Sequence, residues 1–239
     1  MAENRRRRLQ ALLAADLAER PESVVKLACE RCVLELGVSG AGATVLSAAP
    51  GHGLPSRGLV CATNEVSSGL EDLQLVVGEG PCLDAFASGG PVLISDLSAE
   101  MERWPAFTPA ARGLGAAAVF SFPLQIGVAR VGSLDLYRDT PGPLTRTELT
   151  DALILSDLAT LGVVAELDGH STADLSWLAD PHIQVHQATG MVQAQLDSTT
   201  DVALLRLRGY AFTHDVPLAE VARRVVAREL RFTADEGGH

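Results

Sequence analysis

The sequence predicts an α+β domain, an antiparallel sheet with flanking helices, followed by an all-α bundle of three short helices. Three observations lead there. Apolar residues recur at helical spacing up to Leu36 and again from Thr145, whereas between Gly42 and Tyr137 they form short runs divided by turn residues, the mark of strands. At Asp168-Gly169-His170-Ser171-Thr172 the apolar pattern breaks on glycine and small polar residues, so a domain boundary falls there. Charge divides along the same line: residues 182–232 carry six arginines against five acidic residues, a net of +1, while residues 1–181 carry thirteen Lys and Arg against twenty-three Asp and Glu, a net of −10. The expected organisation is a helix over 1–21, a mixed domain over 22–167, a linker over 168–180, a helical bundle over 181–232 and a disordered tail over 233–239.

Composition bounds the class. With 47% hydrophobic and 21% charged residues among 239, the chain is globular rather than disordered. No apolar run reaches the ~18 residues of a membrane span, so no membrane partner is expected and the site of action is taken as the cytoplasm. The opening MAENRRRRLQALLAADLAER sets four arginines before an apolar stretch, as a signal peptide does, but Asp16, Glu19 and Arg20 interrupt that stretch. It forms instead an amphipathic helix whose Leu9, Leu12, Leu13 and Leu17 make a dimer seam or pack on the next domain. Arg5 to Arg8 are expected to be a frayed, solvated end, with contact to nucleic acid as the alternative.

Glu22 to Leu36 forms a second helix carrying Cys29 and Cys32 as C-x-x-C. Zinc or redox use needs a second pair or a helix N-terminus, and Cys61 and Cys82 are single and distant, so buried helix thiols are the better reading. Ala43 to Ala48 and Gly58 to Thr63 are strands separated by the turn-rich APGHGLPSR, Val66 to Val77 is helical, and Pro91 to Ile94 is a third strand. Ser95 to Arg112 is expected as a long irregular loop, Ala117 to Ile126 and Ala129 to Tyr137 as a hairpin turning near Gly127. Leu134 and Leu136 alternate with Ser133, Asp135 and Tyr137, the pattern of a sheet with one covered face, and Thr145 to Leu167 returns to a long helix. Helices are therefore expected on one side of the sheet.

The bundle is laid out from spacing and caps. Asp180-Pro181 opens the first helix, with Ile183, Gln187, Gly190, Met191 and Ala194 on one stripe. Ser198 to Asp201, a carboxylate variant of the capping box, opens a second with Ala203, Leu204, Leu207 and Ala211 buried. Pro217 starts a third, with Leu218, Val221, Ala222, Val225 and Val226 at i, i+3, i+4, i+7 and i+8. Arg206, Arg208, Arg223, Arg224, Arg228 and Arg231 fall off these stripes. They suit phosphates and base edges as planar bidentate donors, or else form a solvated face with pairs such as Glu220 to Arg224.

QATGMV at 187–192, ALLRLRGYA at 203–211 and LAEVARRVV at 218–226 resemble the ANTAR domain, the RNA-binding three-helix module of bacterial transcription antiterminators, in the family's order and spacing. Its small and aromatic positions correspond to Ala188, Ala203, Ala211 and Tyr210. Gly209 departs from the alanine expected there and loosens the second helix by up to ~1 kcal/mol. The resemblance implies a dimer that binds paired RNA hairpin loops and excludes a terminator. VGEGPCLDAF at 77–86, PVLISDL at 91–97, RWPAF at 103–107 and VGSLDLYR at 131–138 resemble the GAF domain that precedes ANTAR in actinobacterial regulators. That resemblance implies a six-stranded sheet with a pocket on one face and dimerising helices on the other. It leaves the cofactor undefined, because GAF domains differ in whether they hold cyclic nucleotides, tetrapyrroles, other small molecules or nothing.

Glu79 and Cys82 in the Gly-rich turn, with Phe86, Trp104 and Phe107, are the candidate lining of a small-molecule pocket; the competing reading is that Trp104 and Phe107 only anchor a long loop. His52 is the only histidine before residue 170, so an imidazole-ligated haem is not expected. His186, Gln187, Arg206, Arg208, Tyr210, Arg223, Arg224 and Arg228 are the candidate RNA contacts. No paired catalytic carboxylates, nucleophile elbow, P-loop or metal-ligand cluster is apparent, so neither catalysis nor a metal is expected. The favoured function is an RNA-binding antiterminator controlled by a small molecule or by dimer arrangement. The alternatives are a DNA-binding regulator, disfavoured by the weak positive charge of the bundle, and a thiol-dependent reductase acting through Cys82.

Overall fold

The computed structural model describes residues 2–20, 22–47, 56–167, 183–214 and 216–233. The chain divides into two compact units, the first of Met1–Ser47 and Arg57–Leu178, the second of Ala48–Ser56 and Ala179–His239. The expected linker over 168–180, the helix start at Asp180-Pro181, His52 and the tail beyond Thr233 lie outside the described residues.

The first unit opens with α1 (Ala2–Glu19) and α2 (Val24–Leu36). Ser23 caps α2 by accepting the Lys26 N–H, and Gly37 closes it in the left-handed conformation. Leu9 and Leu13 of α1 are buried against the domain while Leu17 stays exposed, so the predicted stripe is used for packing only in its first half. Arg5 to Arg8 are not a frayed end: Arg5 pairs with Asp151 at 2.8 Å, Arg6 with Asp157 at 2.9 Å and Arg8 with Glu35. The arginine run is matched to the acidic surface of its own domain, which the sequence alone does not place beside it.

The sheet has β1 (Gly40–Ser47), β2 (Ser56–Ala62), β3 (Val92–Ile94), β4 (Ala118–Ile126) and β5 (Ala129–Arg138) in the order β2-β1-β5-β4-β3. The β1–β5, β5–β4 and β4–β3 pairs are antiparallel. Among the described residues five strands stand where the resemblance implied six. Ala41, Ala43, Phe120, Phe122, Leu134 and Leu136 belong to the main core, which the sheet forms with α1, α2 and α6 (Arg146–Leu167). Each large side chain buried there contributes about 1.5–3 kcal/mol. Thr145 and Glu148 cap α6 reciprocally, with Glu148 N–H donating to Thr145 Oγ1 at 3.2 Å and Thr145 N–H to Glu148 Oε2 at 2.6 Å. Burial works against the Glu148 charge, but these bonds and Arg138 prevail and hold its carboxyl below the usual range.

The opposite face is also covered. There α3 (Glu65–Val77), α4 (Pro81–Ser88) and α5 (Phe107–Gly113) overlie Thr44, Val119, Ser121, Ser133, Asp135 and Tyr137, all of them buried. The expectation of helices on one side is thus corrected: the polar alternation in β5 faces not water but a second layer. The expected irregular loop over 95–112 contains a short 3-10 helix (Leu97–Ala99) and most of α5.

The second unit contains α7 (Ile183–Leu196), α8 (Thr200–Thr213) and α9 (Leu218–Val226), as three helical stripes predict. In α8 Ala203, Leu207 and Ala211 are buried, in α9 Leu218, Val221, Ala222 and Val225. The α7 stripe is corrected: Val185, Ala188, Thr189 and Val192 are buried, whereas Gln187, Gly190 and Ala194 are exposed. Thr199, rather than Ser198, caps α8 by accepting the Val202 N–H, and α8 runs unbroken through Gly209.

Candidate functional site

Two candidate sites arise, one in each unit. In the first unit the covered polar face of the sheet meets α3 and the start of α4. Glu71 on α3 accepts a hydrogen bond from Thr44 Oγ1 at 2.7 Å, and Asp135 on β5 accepts from Ser133 Oγ at 2.7 Å. Gly42 stands opposite Asp135 in the β1–β5 register, and a Cβ there would lie 3.1 Å from Glu71 Oε1, so this position leaves the room that Glu71 fills. Gln74 Oε1 accepts the Cys82 N–H at 2.8 Å, tying the last turns of α3 to the first turn of α4. The connecting Gly80 has φ +138°, and any Cβ on it would meet Gln74 Oε1 at 2.6 Å.

Among the described residues, the group of His, Cys, Asp and Glu side chains close enough to share a metal ion is Glu71, Cys82 and Asp135, whose ligand atoms lie within 4.8 Å of one another. All three are buried. Ser121 faces Asp135 across the β4–β5 ladder, is 0% exposed, and its Oγ has no hydrogen-bond partner among the described residues. The free space beside Glu71 and Asp135 is about 10 Å³, room for one water. No motif spacing points to this group, because its members are scattered from residue 71 to residue 135 on three elements.

The pocket residues predicted from sequence separate into different roles. Cys82 joins the two carboxylates, and Phe107 borders the small space. Glu79 serves as a cap instead of a pocket wall: its Oε1 accepts the N–H groups of Ala106 and Phe107 at 2.7 and 2.9 Å at the start of α5. Trp104 is buried edge-on against Phe107, ring centroids 6.0 Å apart, under the Arg103 guanidinium at 4.4 Å. Arg103 in turn binds Asp84 of α4 at 2.8 Å, so Trp104 anchors the segment before α5 rather than a ligand. Phe86 is half-buried on α4, with the Arg130 guanidinium 5.9 Å from its ring. The two cysteines of C-x-x-C are buried as expected, and Cys29 Sγ lies 2.7 Å from Cys61 Sγ.

In the second unit, Tyr210 stacks on His214 at 3.9 Å with an interplanar angle of 12°, and meets Phe232 edge-on at 5.7 Å. The Arg224 guanidinium lies 5.9 Å from the Tyr210 ring. Arg206, Gly209, Tyr210, Thr213 and His214 line an open cavity of about 400 Å³. The exposed His214 is absent from the sequence-based candidates; its position one turn after Tyr210 is the signal that could have found it. Arg223 is bound to Glu220 by two contacts of 2.8 Å and to Glu229 at 3.4 Å, which replaces the expected Glu220 to Arg224 pair. The Arg223 hydrogen bonds hold the Glu220 carboxyl below its usual range. Gln187 is exposed on α7, Arg208 is half-buried on α8, and Arg228 follows α9 at φ +62°. The side chain of His186 lies outside the described residues.

Comparisons with known proteins bear on the first unit. The chain is similar to the GAF domain of a phosphoenolpyruvate-protein phosphotransferase from Coxiella burnetii, with 16% identity, 71% of this chain and 99% of that one covered, and a TM-score of 0.53. The corresponding Acinetobacter GAF domain shows 14% identity, coverage of 72% and 98%, and a TM-score of 0.50. At such identities the likeness carries the fold alone. No curated protein matches the chain. No helix among the described residues is long and apolar enough to cross a membrane. The GAF domain family itself matches residues 18–165, more than half of the sequence, from α2 through the whole sheet to nearly the end of α6, and the chain therefore belongs to the GAF domain family.

Proposed function

We propose that this chain is a sensor and effector in one: the GAF unit responds to a small molecule or to dimer arrangement, and the C-terminal helices bind hairpin loops in nascent transcripts and so control termination in the cytoplasm. In this reading the protein is a homodimer and is not an enzyme. The observation that carries the RNA reading is the stacked Tyr210–His214 pair beside an open cavity, with Arg206 on the cavity wall and Arg224 near the ring. Unstacked bases are read on aromatic and guanidinium planes, and the exposed His214 offers such a plane at the end of a stack. The ANTAR-like order of QATGMV, ALLRLRGYA and LAEVARRVV supports the same reading.

The test is binding of the full chain to a tandem-hairpin RNA and to duplex DNA at one salt concentration. Hairpin RNA should bind more tightly, and Tyr210→Ala, His214→Ala and Arg224→Ala should each weaken it by about tenfold, the scale of one lost stacking contact. Arg223→Ala should weaken it less, because Glu220 and Glu229 already hold that guanidinium. Arg146→Ala, on the exposed surface of the first unit, should change nothing. Equal affinity for both nucleic acids would favour the DNA-binding reading, and no affinity for either would end both.

A further inference from the structure

We infer that Glu71, Cys82 and Asp135 form a binding site for a divalent transition-metal ion of the zinc(II), cobalt(II) and iron(II) group, inside the GAF unit and independent of any role in RNA binding. Their ligand atoms all lie within 4.8 Å of one another. A tetrahedral ion at about 2.0–2.3 Å from each donor sets the donors ~3.3–3.8 Å apart, so closure of these side chains by about 1.5 Å at most completes the shell. The three donors come from three elements fixed in place: Gln74 anchors the Cys82 backbone, Thr44 and Ser133 orient the two carboxylates, and Gly42 leaves the space that Glu71 enters. Hydroxyls that orient ligating carboxylates are the usual surroundings of a metal.

A separate observation points to a ligand at the same place. Ser121 Oγ is fully buried without a hydrogen-bond partner among the described residues, and its register places it on the same sheet face as Asp135 and directly opposite it. Buried hydroxyls are normally satisfied by protein or ordered water, so this one marks a position where a metal-bound water would be held. A free space of about 10 Å³, the size of one water, lies beside Glu71 and Asp135. A thiolate among the donors selects zinc, cobalt or iron over magnesium and calcium, and three protein donors leave a fourth position for the water. Binding displaces the Cys82 proton to solvent and requires no electron transfer.

The test uses the full chain, stripped with chelator and titrated with cobalt(II). One ion per chain should bind, with a sulfur-to-cobalt charge-transfer band that zinc(II) abolishes and excess magnesium(II) leaves intact. Cys82→Ser should remove the band, Cys61→Ala should leave it, and Glu71→Gln and Asp135→Asn should each weaken affinity more than Ser121→Ala, for which about tenfold is expected. X-ray absorption of zinc-loaded wild-type protein should find one sulfur among oxygen donors, a readout that depends on no variant folding. Absence of the band in the wild type, its survival in Cys82→Ser, or a zinc shell with no sulfur or with two would overturn the site.

Discussion

Gln74 Oε1 receives the backbone N–H of Cys82 at 2.8 Å, so one buried side-chain amide joins the end of α3 to the start of α4. Gln74→Ala leaves that N–H buried without its acceptor and should cost about 1–3 kcal/mol. Urea unfolding of the first unit, followed by near-ultraviolet circular dichroism, measures it; an unchanged midpoint would show that the amide finds another acceptor.

Two glycines should respond in opposite directions to the same substitution. Gly80→Ala forces a side chain into φ +138° and against Gln74 Oε1 at 2.6 Å, and should destabilise by at least about 1 kcal/mol. Gly209 lies within α8, and a methyl group added there would meet nothing within 4 Å, so Gly209→Ala should stabilise the second unit by about 0.5–1 kcal/mol. Thermal melts of the two variants against wild type decide both signs.

Acid sensitivity should trace partly to Asp16. Hydrogen bonds from Arg31 hold its carboxyl below the usual value of 3.8. A depressed folded-state pKa contributes stability that is present above the unfolded value and is lost as pH falls through the folded one. The contribution is therefore complete above about pH 5 and fades below about pH 4. Asp16→Asn should lower stability at neutral pH and flatten the acid limb of a stability against pH curve; parallel curves would remove Asp16 from the account.

Thiol reactivity should be low in the native state. The contact with Cys61 and then burial push the Cys29 thiol well above its ordinary value, and burial chiefly does the same for Cys32. Since the thiolate is the nucleophile, iodoacetamide at pH 8 should label neither until the protein is unfolded in guanidinium. Rapid native labelling at either position, read by peptide mass spectrometry, would contradict the burial described.

Local pattern makes the strands and most helices legible, and packing decides what is not. Along α7 the residues Val185, Ala188, Thr189 and Val192 satisfy helical spacing as well as the stripe drawn from sequence, and only the contact with α8 and α9 selects between them. In β5 the alternation of Leu134 and Leu136 with Ser133 and Asp135 is visible, but not that α3, α4 and α5 bury the polar side. The aromatic residues expected as pocket walls separate for a related reason: Trp104 packs edge-on against Phe107 in the core, and only Phe107 reaches the small space beside the carboxylates. Cys82 stands out by its motif, while Glu71 and Asp135 look like ordinary surface acids until the fold brings them beside it.

The space above the sheet, about 10 Å³, sets a kinetic consequence. If the proposed organic effector binds here, it must wait until α3, which lines the space, swings aside. Its observed association rate should then climb with concentration only to a plateau, the opening frequency of the protein itself, and rapid mixing would display that ceiling instead of a straight line.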